Sequence, residues 1–327
     1  MATGKGSQFQ LLLGEEASYG DPATNFTKVP ISSIGGSWFG QNLIDNPEIR
    51  ANRNPAPPVL GNRIINGNFT APLHYDASGW ILKNAIGVPD TTGSGPDYTH
   101  VSKVGFDEDV AGDLPVGMTF EHGFTDLALY HVYGGCKVSS FAVSVSSEGV
   151  TQFDVNIIGA DLIDAESATL DSGPIEYTSI AQSHFTGSIQ EGGAPIAYVQ
   201  SVDFTLDNGL DDSQYVVGGA GALSELPENM ASLTGSVTAL FQSNALLLKA
   251  INNTESSLQL AWTDGTDSLT FDIPEIYLEA AAPTVDATRG VLITLPFKAH
   301  YQDHADATIL KSTLVNTIVS YAAIAAS

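Results

Sequence analysis

Cysteine is almost missing from this chain. Cys136 is the single one in 327 residues, so no disulfide can form within the chain and a thiolate metal cage is excluded. In its strand pattern Cys136 reads as a small buried apolar residue. Basic residues are scarce too: 12 Lys and Arg stand against 37 Asp and Glu, for a net charge of −25. A surface that grips DNA or RNA needs a basic stripe to displace counterions, so that class is excluded. Nucleic acid that must pass without sticking is not. An apolar run long enough to span a bilayer is lacking. Leu314–Ala326 is short and is interrupted by Asn316, Thr317 and Ser320, and Met1–Ser7 has no apolar signal core. The expectation is a soluble protein made in a cytoplasm, with no membrane insertion. At 43% hydrophobic and 15% charged residues, the chain is globular and long enough for two domains.

Catalytic signatures are also lacking. Gly4-Lys5-Gly6-Ser7 has neither the glycine spacing nor the preceding strand of a phosphate loop, and Gly218-Gly219-Ala220-Gly221 opens no helix. There is no Gly-x-Ser-x-Gly elbow. His300, Asp303, His304 and Asp306 follow a strand at the end of a domain and read as a solvated segment rather than a metal site. Carboxylates are numerous, but nothing singles out a catalytic pair. No enzymatic activity, cofactor or metal is expected.

What the chain does have is one stretch twice. Ser232-Leu233-Thr234-Gly235-Ser236-Val237-Thr238-Ala239-Leu240-Phe241, followed by Ser243 and an apolar run through Lys249 to Ile251, echoes Ile65-Asn66-Gly67-Asn68-Phe69-Thr70-Ala71, followed by Asp76 and a run through Lys83 to Ile86. Gly67 matches Gly235 and Lys83 matches Lys249. Each copy predicts a strand of period two, an N-cap (Asp76 or Ser243), and a short helix that packing must hold in place. Gly87 and Pro89 stop the first helix. The echo continues upstream, where 199–205 parallels 30–37, and downstream, where 259–265 parallels 117–123. Several matches in one order predict two tandem β-rich units.

The units are expected at 1–163 and 184–303, with 164–183 as connector and 304–327 as a C-terminal arm. In the first, Phe141, Val143 and Val145 face Phe153, Val155 and Ile157 across a hairpin with one dry face. In the second, Asp264-Gly265 marks a hairpin turn, and Val291, Ile293, Leu295 and Phe297 share one face of a last strand. Pro89–Pro115 reads as surface loop. Two long excursions, Gly40–Asn62 and Leu206–Asn229, occupy the same place in each unit, and loops of such length are usually functional or disordered.

The residues from about Ser7 to Tyr301 resemble the tail tube (major tail) proteins of long-tailed bacteriophages. Tyr19-Gly20-Asp21-Pro22-Ala23, Thr169-Leu170-Asp171-Ser172-Gly173-Pro174, Thr186-Gly187-Ser188-Ile189-Gln190-Glu191-Gly192-Gly193, Val202-Asp203-Phe204-Thr205-Leu206-Asp207-Asn208-Gly209 and Asn252-Asn253-Thr254-Glu255-Ser256-Ser257-Leu258 carry the likeness. It rests on order and extent, since the family has no catalytic signature. The resemblance implies a mainly β fold of two tandem tail-tube-type units, each a two-sheet antiparallel sandwich or barrel with a short flanking helix. It also implies a structural virion protein whose rings stack into a hollow tube. A tape-measure protein fills that tube before DNA passes, and terminator and tip proteins close it. An acidic wall would keep passing phosphates off the surface. The alternative is an acidic β-sandwich adhesin or carbohydrate-binding module, which should expose an aromatic platform. Trp38, Trp80 and Trp262 sit instead in apolar phase.

Three expectations follow. The long loops hold ring to ring, with Arg50 and Arg53 of the first meeting Asp207, Asp211, Asp212, Glu225 and Glu228 of the second. Gln152, Asp154 and Asn156 of the first unit and Glu275 and Glu279 of the second line the lumen, or else the outer wall, because their neighbours Phe153, Val155, Ile276 and Leu278 take the dry face. Six ring positions supplied two per chain make a trimer of pseudo-sixfold symmetry, with a hexamer as the competing arrangement.

Overall fold

The computed structural model describes residues 3–95, 97–105, 114–146, 148–166, 168–183, 187–196, 198–285 and 290–324. The first half contains β1 (Phe9–Glu15), β2 (Phe26–Val29), β3 (Ser33–Ile44), β4 (Val59–Pro72), α1 (Ser78–Ile86), β5 (Asp90–Gly93), β6 (Tyr98–Lys103), β7 (Met118–Phe124), β8 (Leu129–Ser146), β9 (Gln152–Gly159) and β10 (Asp161–Glu166). The second contains β11 (Gly187–Glu191), β12 (Ala194–Pro195), β13 (Val199–Asp207), β14 (Ser232–Leu240), α2 (Ala245–Ile251), β15 (Ser256–Thr263), β16 (Ser268–Leu278), β17 (Leu292–Ala299) and β18 (Lys311–Asn316). The fold is mainly β, and every strand pairing in it is antiparallel apart from one isolated bridge, Thr27 to Ile175, among the described residues.

The pairing pattern of the first half recurs in the second. The hairpin β1–β2 has its counterpart in β11–β12, and β1–β7 in β11–β15. The ladders β3–β4, β4–β9 and β8–β9 recur as β13–β14, β14–β17 and β16–β17. Finally β7–β8 and β8–β10 recur as β15–β16 and β16–β18. Gly67 and Gly235 take the same place, each on the central strand of three. A Cβ at Gly67 would lie 2.2 Å from the Trp38 ring, so only glycine lets that indole cross the strand.

Alternation explains why these segments are strands. Phe153, Val155 and Ile157 of β9, Val202, Phe204 and Leu206 of β13, and Ile293, Leu295 and Phe297 of β17 are buried, and the residues between them are not. One continuous core runs through both halves. At its centre Phe141 and Phe153 from the first half meet Phe204 and Phe271 from the second, with centroids 5.2–6.4 Å apart. All three tryptophans are buried, so none supplies an exposed platform.

Three regions depart from the sequence-based expectation. Residues 89–115 are not all loop: β5 and β6 form a hairpin, and β6 pairs with β18 from the other end of the chain. The segment 304–327, expected as an arm, supplies that strand. It also supplies Tyr321, whose ring packs edge-on against Trp80 and would overlap any side chain at position 79. The excursion expected over Gly40–Asn62 is shortened at both ends, because the β3–β4 ladder runs out to Ile44 and Val59. In α1 the N-cap position is Ala77, with no side-chain cap, while Asp76 accepts N–H bonds from Ala77 (2.7 Å) and Ser179 (3.0 Å). In α2 it is Asn244, and Ser243 Oγ accepts a long 3.4 Å bond from Ala245 N–H.

Candidate functional site

Because strands alternate, the residues opposite the core residues share the other face of each sheet. The order β3–β4–β9–β8–β13–β14–β17 is a single wall formed by both halves, joined at β8–β13. Across it, opposite residues read Ser33–Thr70–Asp154–Ala142–Thr205–Thr234–Lys298 in one row. A neighbouring row reads Gly35–Asn68–Asn156–Ser140–Asp207–Ser232. This is a face of short hydroxyl, amide and carboxylate side chains.

The side chains on this face are tied to one another. Thr70 donates to Asp154 at 2.7 Å, Asn156 to Ser140 at 2.8 Å and Ser236 to Asp203 at 2.7 Å, while the Thr238 and Thr294 hydroxyls lie 2.9 Å apart. Its carboxylates are Asp154, Asp203 and Asp207. Lys298, on the last strand, is paired with Glu279 at 3.0 Å. Gln152, Asp154 and Asn156 therefore lie together on this face, and Glu279 is exposed beside it.

Glu275 does not join them. The β15–β16 register shifts between Ser256 and Leu258, and the burial phase of β16 changes from Phe271 and Ile273 to Ile276 and Leu278. Glu275 falls at that change and is buried. Burial alone would raise its pKa. N–H bonds from Gln302 (2.7 Å) and Asp303 (3.4 Å), with His300 and His304 nearby, outweigh this and hold it below the usual carboxylate range. Glu255, Glu275 and His300 bring ligand atoms within 4.8 Å of one another. However, His300 Nε2 is 3.2 Å from Glu255 and the backbone takes up the Glu275 oxygens, while His300 Nδ1 is buried without a hydrogen-bond partner.

Strands β3 and β13 run in the same direction, so the loops that follow them, 45–58 and 208–231, leave the same end of the wall. The second is folded back by bridges between Leu210 and Glu228 and between Tyr215 and Leu223. It lies on the first half: Gly221 O accepts from Arg63 N–H at 2.8 Å, Tyr215 donates to Arg63 O at 2.9 Å, and Leu223 and Leu226 are buried with Ala160.

The charges expected to meet between rings have the following partners within the chain. Arg50 pairs with Glu48 at 3.2 Å. Glu228 pairs with Lys137 of β8 at 2.7 Å, across the junction between the halves. Asp207 caps Gly209 N–H, and Asp211 accepts from Ser213 and Gln214, bonds that lower its pKa. Arg53, Asp212 and Glu225 are exposed, as are the apolar loop residues Ile49 and Val217.

Sequence reasoning missed the wall as a unit. The alternation of each strand marks its polar residues, but only the β8–β13 pairing sets those of the two halves side by side. Among the described residues no helix is long and apolar enough to cross a membrane. A search of curated proteins finds no match. A family model described as phage tail tube protein matches residues 6–299, a span that takes in the whole wall. The chain belongs to the phage tail tube protein family.

Proposed function

We propose that this structural tail protein assembles three chains to a ring, and that stacked rings form a tube through which DNA leaves the virion. The observation that carries this reading is the polar wall, continuous across both halves of one chain. Each half contributes four strands to it when residues 279–285, which extend β16 along β17, are included. Three chains of eight strands would close a barrel about 50 Å across between backbones. Gln152, Asp154 and Asn156 would face its lumen, with Asp203 and Asp207 from the second half, and their short acidic and hydroxyl groups would not trap phosphates.

The chain is read as two tandem tail-tube-type units, 1–163 and 184–303, joined by 164–183, with β18 added to the second. The loops 45–58 and 208–231 hold ring to ring. Arg50 and Arg53 meet Asp207, Asp211, Asp212, Glu225 and Glu228 of the next ring. Tape-measure, terminator and tip proteins are the further partners, the protein is made in the host cytoplasm, and it catalyses no reaction.

Electron microscopy of the purified protein, with the mass of an isolated ring, tests the reading. Tubes whose rings weigh three chains are expected. Six chains per ring would overturn the trimer, and protein that turns over a polysaccharide through one Asp or Glu would overturn the structural role. Deleting 47–56 should leave folded rings that do not stack; normal stacking would remove the loops from that role.

A further inference from the structure

Within the chain, β8 has a wall neighbour on each side, β9 and β13. The β8–β13 ladder runs from Ser140 opposite Asp207 to Ser146 opposite Ser201, over buried Phe141, Val143, Val202, Phe204 and Leu206. The counterpart of this part of β8 in the second half is the stretch 279–285. One side of it is held to the β17 side: Glu279 N–H donates to Pro296 O at 2.7 Å, and Thr284 and Leu292 exchange bonds of 2.7 and 3.1 Å. On its other side, among the described residues, no strand is paired, and Ala280, Ala282 and Val285 are exposed. At the far end of the wall, β3 pairs with β4 and, among the described residues, with no other strand, although its counterpart β13 is paired on both sides.

The flanking helix shows the same asymmetry. Leu82 and Ala85 of α1 are buried, and Ala85 O accepts from Asn208 Nδ2 at 3.0 Å, the residue directly after β13. Their counterparts on α2, Leu248 and Ile251, are exposed. At the place corresponding to Asn208, β3 continues into exposed Leu43 and Ile44.

We propose that these two open edges bind each other in different copies of the chain: residues 279–285 of one copy take β3 of the next as an antiparallel strand, and the end of β3 covers Leu248 and Ile251. The partner is a second copy because each edge corresponds to one member of a junction already made inside the chain. A head-to-tail contact of this kind closes into a ring, which also leaves no strand edge open to indiscriminate pairing. The register transfers directly. Ala142 lies opposite Asp154 and Thr205; because Thr284 is bridged to Leu292 as Ser144 is paired with Gln152, the matching places in the other half are exposed Ala282 and, on β3, Ser37. Ala282 of one copy therefore faces Ser37 of the next. The proposal rests on the ring reading above.

The test is the double variant Ser37→Cys/Ala282→Cys, oxidised and run on a non-reducing gel. Opposed strand positions bring Cβ atoms within disulfide reach, and native Cys136 is fully buried and does not compete. Covalent oligomers ending at a trimer are expected, with loss of the monomer band, and each single variant should stay monomeric. Tubes that form but give only monomer would overturn the junction and leave the tube intact. A covalent dimer from Ser37→Cys alone would replace it with a twofold pairing of β3 with itself. If the double variant does not assemble, amide exchange on the wild-type protein decides: residues 33–39 and 279–285 should exchange about a hundredfold more slowly in tubes than in free chains. Equal exchange overturns the junction. Wild-type chains that form no ring overturn the ring reading, and the junction with it.

Discussion

Lys83 Nζ lies 2.6 Å from Glu15 Oε1, in a pair whose side chains are 3% and 14% exposed. It ties α1 to the end of β1. Lys249 and Glu191 repeat the contact between α2 and β11, also at 2.6 Å, but the lysine there is 35% exposed. Burial raises the Glu15 pKa, and Lys83 opposes that rise. Lys83→Met leaves a carboxylate buried without its cation and should cost about 3–5 kcal/mol of stability. Lys249→Met, where solvent can replace the ammonium, should cost about 1 kcal/mol or less. Denaturant midpoints of the two variants check the difference, and equal losses would contradict it.

Phe271 touches Phe141, Phe153, Phe204 and Trp262. Phe271→Ala opens a cavity where the two halves meet and should cost about 3–5 kcal/mol. Because rings from both halves share that cavity, the expected calorimetric trace is still one transition at a lower temperature. Two separated transitions would show that the halves unfold independently.

His122 is buried among Phe9, Trp38 and Tyr133. Burial, with His131 close by, lowers its pKa from 6.5 to about 3. A depressed folded pKa gives stability that is complete above 6.5 and is lost as pH falls from 6.5 toward 3. At pH 5 the loss from this group is about 2 kcal/mol relative to neutral pH. His122→Phe should remove that part of the acid sensitivity. Parallel melts at pH 7.5 and 5 measure it, and an unchanged pH dependence would assign the sensitivity elsewhere.

Asp154 and Asp203 stand in the middle of the polar wall. Replacing both with Lys should leave the fold intact, since both are exposed, and give tubes that retain double-stranded DNA at low salt and release it steeply as salt rises. Wild-type tubes should retain none. Equal retention by both would place this face on the outside.

Much of the fold is legible in local pattern. Alternation alone locates β9, β13 and β17, and the matches of Gly67 with Gly235 and Lys83 with Lys249 fall at matching points of the pairing scheme. What escapes is set by distant partners. Asp90–Gly93 and Tyr98–Lys103 are too polar to read as strands, and β6 is held by β18 at the other end of the chain. Glu275 is misread because the register shift changes the phase of its strand, which no single-residue rule exposes. Glu228 looks free in an acidic loop, but the fold of that loop brings it to Lys137. The tail tube resemblance is legible over most of the chain. The wall is not, because its central ladder joins residues some 60 positions apart that share no motif.

The pairing of β6 with β18 also sets an order in time. Thr308 donates to Val104 O across 204 residues of chain. At about 5–20 residues per second, a ribosome needs roughly 10–40 s to make that intervening stretch. Through that interval β6 has only β5 as a strand partner, and Trp80 lacks Tyr321. The first half can thus form its own ladders early, yet its helix is sealed only once the far strand has been made. A nascent chain stopped before residue 308 should expose α1 to protease, and one extended past residue 324 should not.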